Sequence, residues 1–88
     1  MTAPAFSKAE VYEQLKDVLV NEFGLRAEQL EPDAHLVKDL DLDSIDWIDM
    51  AVALEGRTGQ ELQERELASI RTIQDVVDVI HRKLHEDR

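Results

Sequence analysis

Apolar residues recur along this chain at helical rather than strand spacing. Val11, Leu15, Val18 and Leu19 stand at i, i+4, i+7 and i+8, a stripe along one helical face. Ser7 can cap that helix, Glu10 completes a capping box three residues on, and Phe6 with Val11 can form a hydrophobic staple. Gly24 follows Phe23 as a left-handed stop. Near the other end Ile73, Val76, Val77, Ile80 and Leu84 form a second stripe behind Thr72 as cap, with His81, Arg82 and Lys83 suited to the negative end of the helix. Glu64 to Ser69 is long enough for one or two turns and predicts a short helix.

Between these lies a helix predicted from Asp43, a good N-cap, through about Glu55, with Gly56 and Gly59 ending it. At about 100° per residue, Trp47, Met50, Ala51 and Leu54 fall on one side, and Ile45, Ile48 and Val52 on nearly the opposite side. A small bundle can bury only one of these faces. The stripe left outside, flanked by Asp49 and Glu55, has the composition of a protein docking site. Residues 25–43 carry no helical period. Pro32, Asp33 and the Asp39/Asp41/Asp43 series predict a long ordered loop, with a short turn near Ala27 to Leu30 and with Leu30, Leu36, Val37, Leu40 and Leu42 available to pin it. The expected fold is all-α: a small four-helix bundle of three main helices and one short one, with a long loop between the first and second, spanning residues 1–88 as a single domain.

Charge changes the picture of partners. The 88 residues include 20 Asp+Glu against 10 Lys+Arg, a net charge of −10, which repels phosphate backbones and anionic membrane surfaces and favours basic proteins or cations. The excess is local: residues 31–55 hold eight acids and one base, whereas residues 71–88 hold four of each. Without cysteine there is no disulfide framework and no side-chain thiol nucleophile, so thiol chemistry has to be imported. Neither a leader-type N-terminus nor an apolar run of membrane-spanning length is present, so a cytoplasmic monomer without a membrane span is expected. One small core leaves little room for a deep catalytic cleft, and an enzyme is not expected.

Ser44 opens the helix beside the exposed stripe, and three chemistries compete for it. A hydrolase needs a base and oxyanion donors, yet Gly-x-Ser-x-Gly is absent and two of the three histidines, His81 and His85, share the last helix with only His35 elsewhere. Asp39, Asp41 and Asp43 match the first, third and fifth places of a calcium loop, but Ser44 stands at the sixth where glycine is required and Met50 at the twelfth where glutamate is required. That leaves weak, exposed cation binding open and argues against a calcium sensor.

The third reading rests on resemblance. Asp43-Ser44-Ile45, with Leu40 before it and an acidic-apolar helix after it, resembles the Asp-Ser-Leu attachment motif of acyl carrier proteins. The likeness runs from about residue 7 to 84. It takes in the capped first helix, Leu36-Val37-Lys38-Asp39-Leu40, Ala53-Leu54-Glu55, the short element at Glu64 to Ile70, and Thr72-Ile73-Gln74-Asp75-Val76. Three positions depart from the family pattern: Asp41 stands where many members have glycine, Ile45 replaces leucine, and Trp47 is rarer at its position. Asp-Leu-Asp-Leu-Asp-Ser-Ile-Asp is closer to carriers of bacterial polyene-pigment and specialised fatty-acid clusters than to housekeeping ones.

The resemblance implies that Ser44, with Asp43 as the motif acid, receives 4′-phosphopantetheine from a phosphopantetheinyl transferase. The thiol of that arm holds acyl groups as thioesters for ketosynthases, ketoreductases, dehydratases and acyl transferases with basic docking patches. Ile45, Ile48 and Val52 are then the desolvating part of the docking face, and Asp46, Asp49 and Glu55 its steering charges. The opposite side, with Trp47, Met50, Leu54, Leu67, Val76 and Ile80, is expected to form an acyl pocket. A peptidyl or aminoacyl carrier and an unmodified acidic interaction domain remain the alternatives.

Overall fold

Four helices form because each stripe is delimited by its own caps. The computed structural model describes residues 6–86, with α1 at Lys8–Phe23, a 3-10 turn at Ala27–Gln29, α2 at Ser44–Thr58, α3 at Glu64–Ser69 and α4 at Ile73–Glu86. Ser7 and Glu10 exchange bonds at the start of α1 (Glu10 N–H to Ser7 Oγ, 3.1 Å; Ser7 N–H to Glu10 Oε1, 2.8 Å), while Thr72 and Asp75 do so before α4 at 3.2 and 3.0 Å. No strand occurs among the described residues, and the one β-bridge pairs His35 with Thr72.

Helix α1 is the centre of the bundle, packing on both α2 and α4. Its stripe of Val11, Leu15, Val18 and Leu19 meets Met50, Ala51 and Leu54 of α2 and Ile73, Val76, Val77 and Ile80 of α4 in one core. Helix α2 runs one turn further than its glycines suggested. Gly56 lies inside the helix and Gly59, at φ 77°, is the left-handed cap, since the buried Thr58 hydroxyl donates to Leu54 O and Arg57 reaches Asp17 of α1 at 2.6 Å. These contacts offset the cost of an interior glycine, about 1 kcal/mol.

The long loop is pinned by four buried leucines, Leu30, Leu36, Leu40 and Leu42. Val37, expected among these anchors, is instead 47% exposed. Backbone bonds stitch the loop to the junction of α3 and α4: Leu36 N–H to Arg71 O, Ile73 N–H to Ala34 O and Gln74 N–H to Pro32 O. Within it His35 heads a tight turn. Its Nδ1 accepts from the N–H groups of Val37 and Lys38 at 3.2 and 3.1 Å, and its own N–H donates to Asp39 Oδ2 at 2.7 Å.

That turn closes as α1 does. Asp41 and Leu42 donate to Val37 O and Leu36 O, the same four- and six-residue spans by which Gly24 and Leu25 close on Val20 and Leu19. Asp41 therefore occupies a glycine position, with φ 60° against 70° at Gly24. Aspartate tolerates this region better than most residues but not as well as glycine. Melting temperatures measured at high salt should fall in the order Asp41→Gly, wild type, Asp41→Val. Glycine should gain up to about 1 kcal/mol, with Asp41→Asn separating backbone strain from charge. Identical melting of the glycine variant and the wild type would show that the turn stores no strain.

Helix α3 contains no fully buried residue; Leu67 rests at the core margin and an ion pair ties the helix to α4. Lys83, which the sequence suggested for the end of α4, crosses to Glu66 at 2.8 Å with both side chains mostly shielded. Burial opposes ionisation of Glu66, but Lys83, the Gln63 N–H and Arg82 together outweigh it and hold the carboxyl below its ordinary value of 4.5. A lowered acid stabilises the fold above its unfolded-state value and loses that contribution as pH falls through the folded-state value. Lys83→Met should lower the melting temperature by a few degrees at neutral pH, about 1 kcal/mol or less. The deficit should shrink below pH 4.5. A deficit constant with pH would assign the loss to packing.

Candidate functional site

The first turn of α2 is set by two aspartates. Asp46 N–H donates to Asp43 Oδ1 at 2.9 Å and Asp43 N–H donates to Asp46 Oδ2 at 3.2 Å. This reciprocal cap makes Ser44 the first helical residue, with its side chain exposed. At that position the unpaired N–H groups and the positive end of the helix dipole favour an anion esterified to the hydroxyl, which partly offsets repulsion from the neighbouring carboxylates. Asp46 thus serves the cap and still presents its charge at the surface.

A groove of about 330 Å³ opens beside Ser44, lined by Val37, Asp41, Leu42, Asp43, Ser44 and Trp47. Its walls are mostly hydrocarbon. The indole of Trp47, one turn along from Ser44, is half-buried, and its Nε1 is shielded from solvent with no acceptor among the described residues. A serine hydroxyl at a helix start, an apolar trough within reach and an unsatisfied donor fit a flexible amide-bearing arm such as phosphopantetheine.

The two faces of α2 separate as their spacing predicted. Met50 and Leu54 are fully buried and Ala51 nearly so, whereas Ile45, Ile48 and Val52 are 68%, 56% and 63% exposed. Asp49 and Glu55 flank this stripe in solvent. Alongside it an open basin of about 520 Å³ lies against α1, with Glu22, Asp46 and Asp49 around a floor of Phe23, Val52 and Ala53. Glu22 and Phe23 were not singled out from sequence, because only the packing of α1 on α2 brings them here. Val37, Asp41 and Leu42 join the groove for the same reason, through the folded loop.

Of the residues expected at an acyl pocket, Met50, Leu54, Val76 and Ile80 belong to a closed core and have no exposed surface, while Trp47 and Leu67 are partly buried at its margin. Asp39, Asp41 and Asp43 do not converge: Asp39 serves the His35 turn, Asp43 caps α2, and Asp41 holds the left-handed position between them. Among the described residues no three acids or histidines are grouped to hold a metal ion. His81 and His85 pair on α4 with ring centroids 4.2 Å apart, and burial, His85 and Lys8 keep His81 below its ordinary value.

Residues 13–80 match the family described as the phosphopantetheine attachment site. "Acyl carrier protein 2" of Ralstonia nicotianae is 34% identical over 74 residues, covering 84% of this chain and 91% of the relative. Acyl carrier proteins of Coprothermobacter proteolyticus and Thermosynechococcus vestitus are 33% and 31% identical, each across 89% of this chain and 95% and 96% of their own length. With the capped serine, its groove and the acidic helix that follows, this likeness places the chain in the acyl carrier protein family, carriers rather than enzymes that bear a covalent 4′-phosphopantetheine.

Proposed function

We propose that Ser44 is the attachment point and that the protein carries acyl intermediates of fatty-acid or polyketide-type synthesis, the polyene-pigment kind included. The observation that carries this reading is the position of Ser44, exposed at the capped start of α2 with a groove on one side and an exposed apolar stripe on the other. Its hydroxyl becomes one ester of a phosphodiester, and the thiol that the chain lacks is supplied at the far end of the arm. Tethering then raises the effective concentration of an intermediate at whichever enzyme has docked the carrier.

The partners are a phosphopantetheinyl transferase, then ketosynthases, ketoreductases, dehydratases and acyl transferases with basic patches. Ile45, Ile48 and Val52 supply the area to desolvate, and Asp46, Asp49 and Glu55 the steering charge. The basin below Asp49 suits a partner's lysine or arginine, whose stem would lie on Phe23 and Val52 while its head meets three carboxylates. Acyl rather than aminoacyl cargo is supported by the acidity of residues 31–55 and by relatives described as acyl carrier proteins. An acyl chain that enters the bundle does so by parting the closed pocket residues Met50, Leu54, Val76 and Ile80 from the margin at Trp47 and Leu67. About 0.8 kcal/mol per buried methylene offsets that repacking.

Incubation with a phosphopantetheinyl transferase should add one phosphopantetheine to the wild type by intact mass and none to Ser44→Ala, whose helical spectrum should be unchanged. Modification of the alanine variant would move the site elsewhere. No modification of the wild type would favour the unmodified interaction domain. Rim charges act mainly on encounter and are screened beyond roughly 8–10 Å at ordinary salt. Asp49→Lys should therefore slow association with the transferase on the order of three- to tenfold at low salt, and the difference should shrink at high salt. An association rate that matches the wild type at all salt concentrations would remove this face from docking.

A further inference from the structure

Trp47 is costly where it stands. A buried N–H without an acceptor carries its full desolvation cost, and phenylalanine would supply most of the same apolar surface without that cost. The orphaned Nε1 belongs to a residue that lines the groove beside Ser44, one helical turn away on the same face. An acceptor delivered from Ser44 into the groove comes within reach of this donor once the indole turns toward it.

We propose that the groove is a resting site for the proximal, pantoyl end of the prosthetic arm, and that Trp47 Nε1 donates a hydrogen bond to the first amide carbonyl of the arm. This rests on the reading of Ser44 as the attachment point. The first amide oxygen is roughly seven bonds from the serine oxygen, a reach of about 6–8 Å at ordinary bond lengths, which suits a residue one turn of helix away, about 5 Å along the axis. Val37 and Leu42 offer hydrocarbon to the geminal methyl groups that lie between the phosphate and that amide. Asp41 and Asp43 at the rim repel an anion, so the phosphate stays outside at the start of α2 while the neutral pantoyl unit enters. Since Trp47 is only half-buried, its indole can turn toward the groove without opening the core. The thioester is less suited to this donor, because the arm would have to double back to bring it here.

The single tryptophan makes the bond directly observable. The 15N-labelled full-length protein is converted to the holo form with a transferase and the conversion verified by intact mass. The indole N–H resonance should then move downfield, its hydrogen exchange should slow by about tenfold, as a bond of ordinary strength implies, and it should show Overhauser contacts to the geminal methyl protons. In Trp47→Phe, which should keep its helical spectrum and still be modified, those methyl signals should sharpen toward those of free pantetheine. A verified mass increment with an unmoved indole resonance overturns the proposal and leaves the Ser44 reading standing. An indole response that appears only after the thiol is acylated also overturns it, because the groove then takes cargo rather than the arm. Absence of the mass increment removes both.

Discussion

The reciprocal bonds between Asp43 and Asp46 fix the residue at which α2 begins, and much of the functional surface follows from that choice. A shift of one residue would rotate every α2 side chain by about 100° relative to the point where the loop joins it. Met50 and Leu54 would leave the core and Ile48 would turn toward it. The two apolar stripes lie nearly opposite each other, so such a shift would also bring Ser44 and Glu55 toward the core, and the cap and the stripes specify the same register. The buried Leu42 just ahead of the cap and Arg57 bound to Asp17 at the other end reinforce it. The same two aspartates leave Ser44 at the exposed first position, so the exposure of that hydroxyl and the orientation of the outer apolar stripe share one local cause.

The loop that delivers the chain to this cap behaves as a folded element. His35 organises its turn through a ring nitrogen, four leucines bury it, and the α3–α4 junction receives it through backbone bonds. That leaves Val37 outside, next to Trp47 at the groove. Negative charge accumulates on this side because several carboxylates there are engaged in backbone capping, whereas Lys8, Arg57 and Lys83 are spent on ion pairs that join helices.

Features governed by near neighbours in sequence were legible from it. The stripes of α1 and α4, the Ser7/Glu10 box, the Thr72 cap and the two faces of α2 all follow from residues three or four apart, and each is present. What the sequence did not disclose depends on residues far apart in it. Gly56 is helical because Thr58 and Arg57 find partners beyond it. Lys83 stands in the last turn of its own helix and also crosses to Glu66, and Glu22 and Phe23 meet Asp49 only after α1 packs on α2. Asp41 is intermediate: its departure from the family's glycine was visible, but the left-handed backbone that makes the departure matter needed the folded turn. The groove and the orphaned indole nitrogen were not legible at all, since both are properties of shape.

Helix α3 has a consequence for motion. It has six residues and no fully buried side chain of its own, and it is held by Leu67 at the core margin, by the ion pair to α4 and by the buried Leu62 and Ile70 on either side of it, while α1, α2 and α4 hold most of the buried core between them. Such a segment opens at a free energy well below that of the whole domain. Its amides would exchange with solvent through a local excursion, while those of α1 wait for global unfolding. The side of the bundle where Leu67 sits is thus its most compliant wall, and it can yield while α1, α2 and α4 keep their packing.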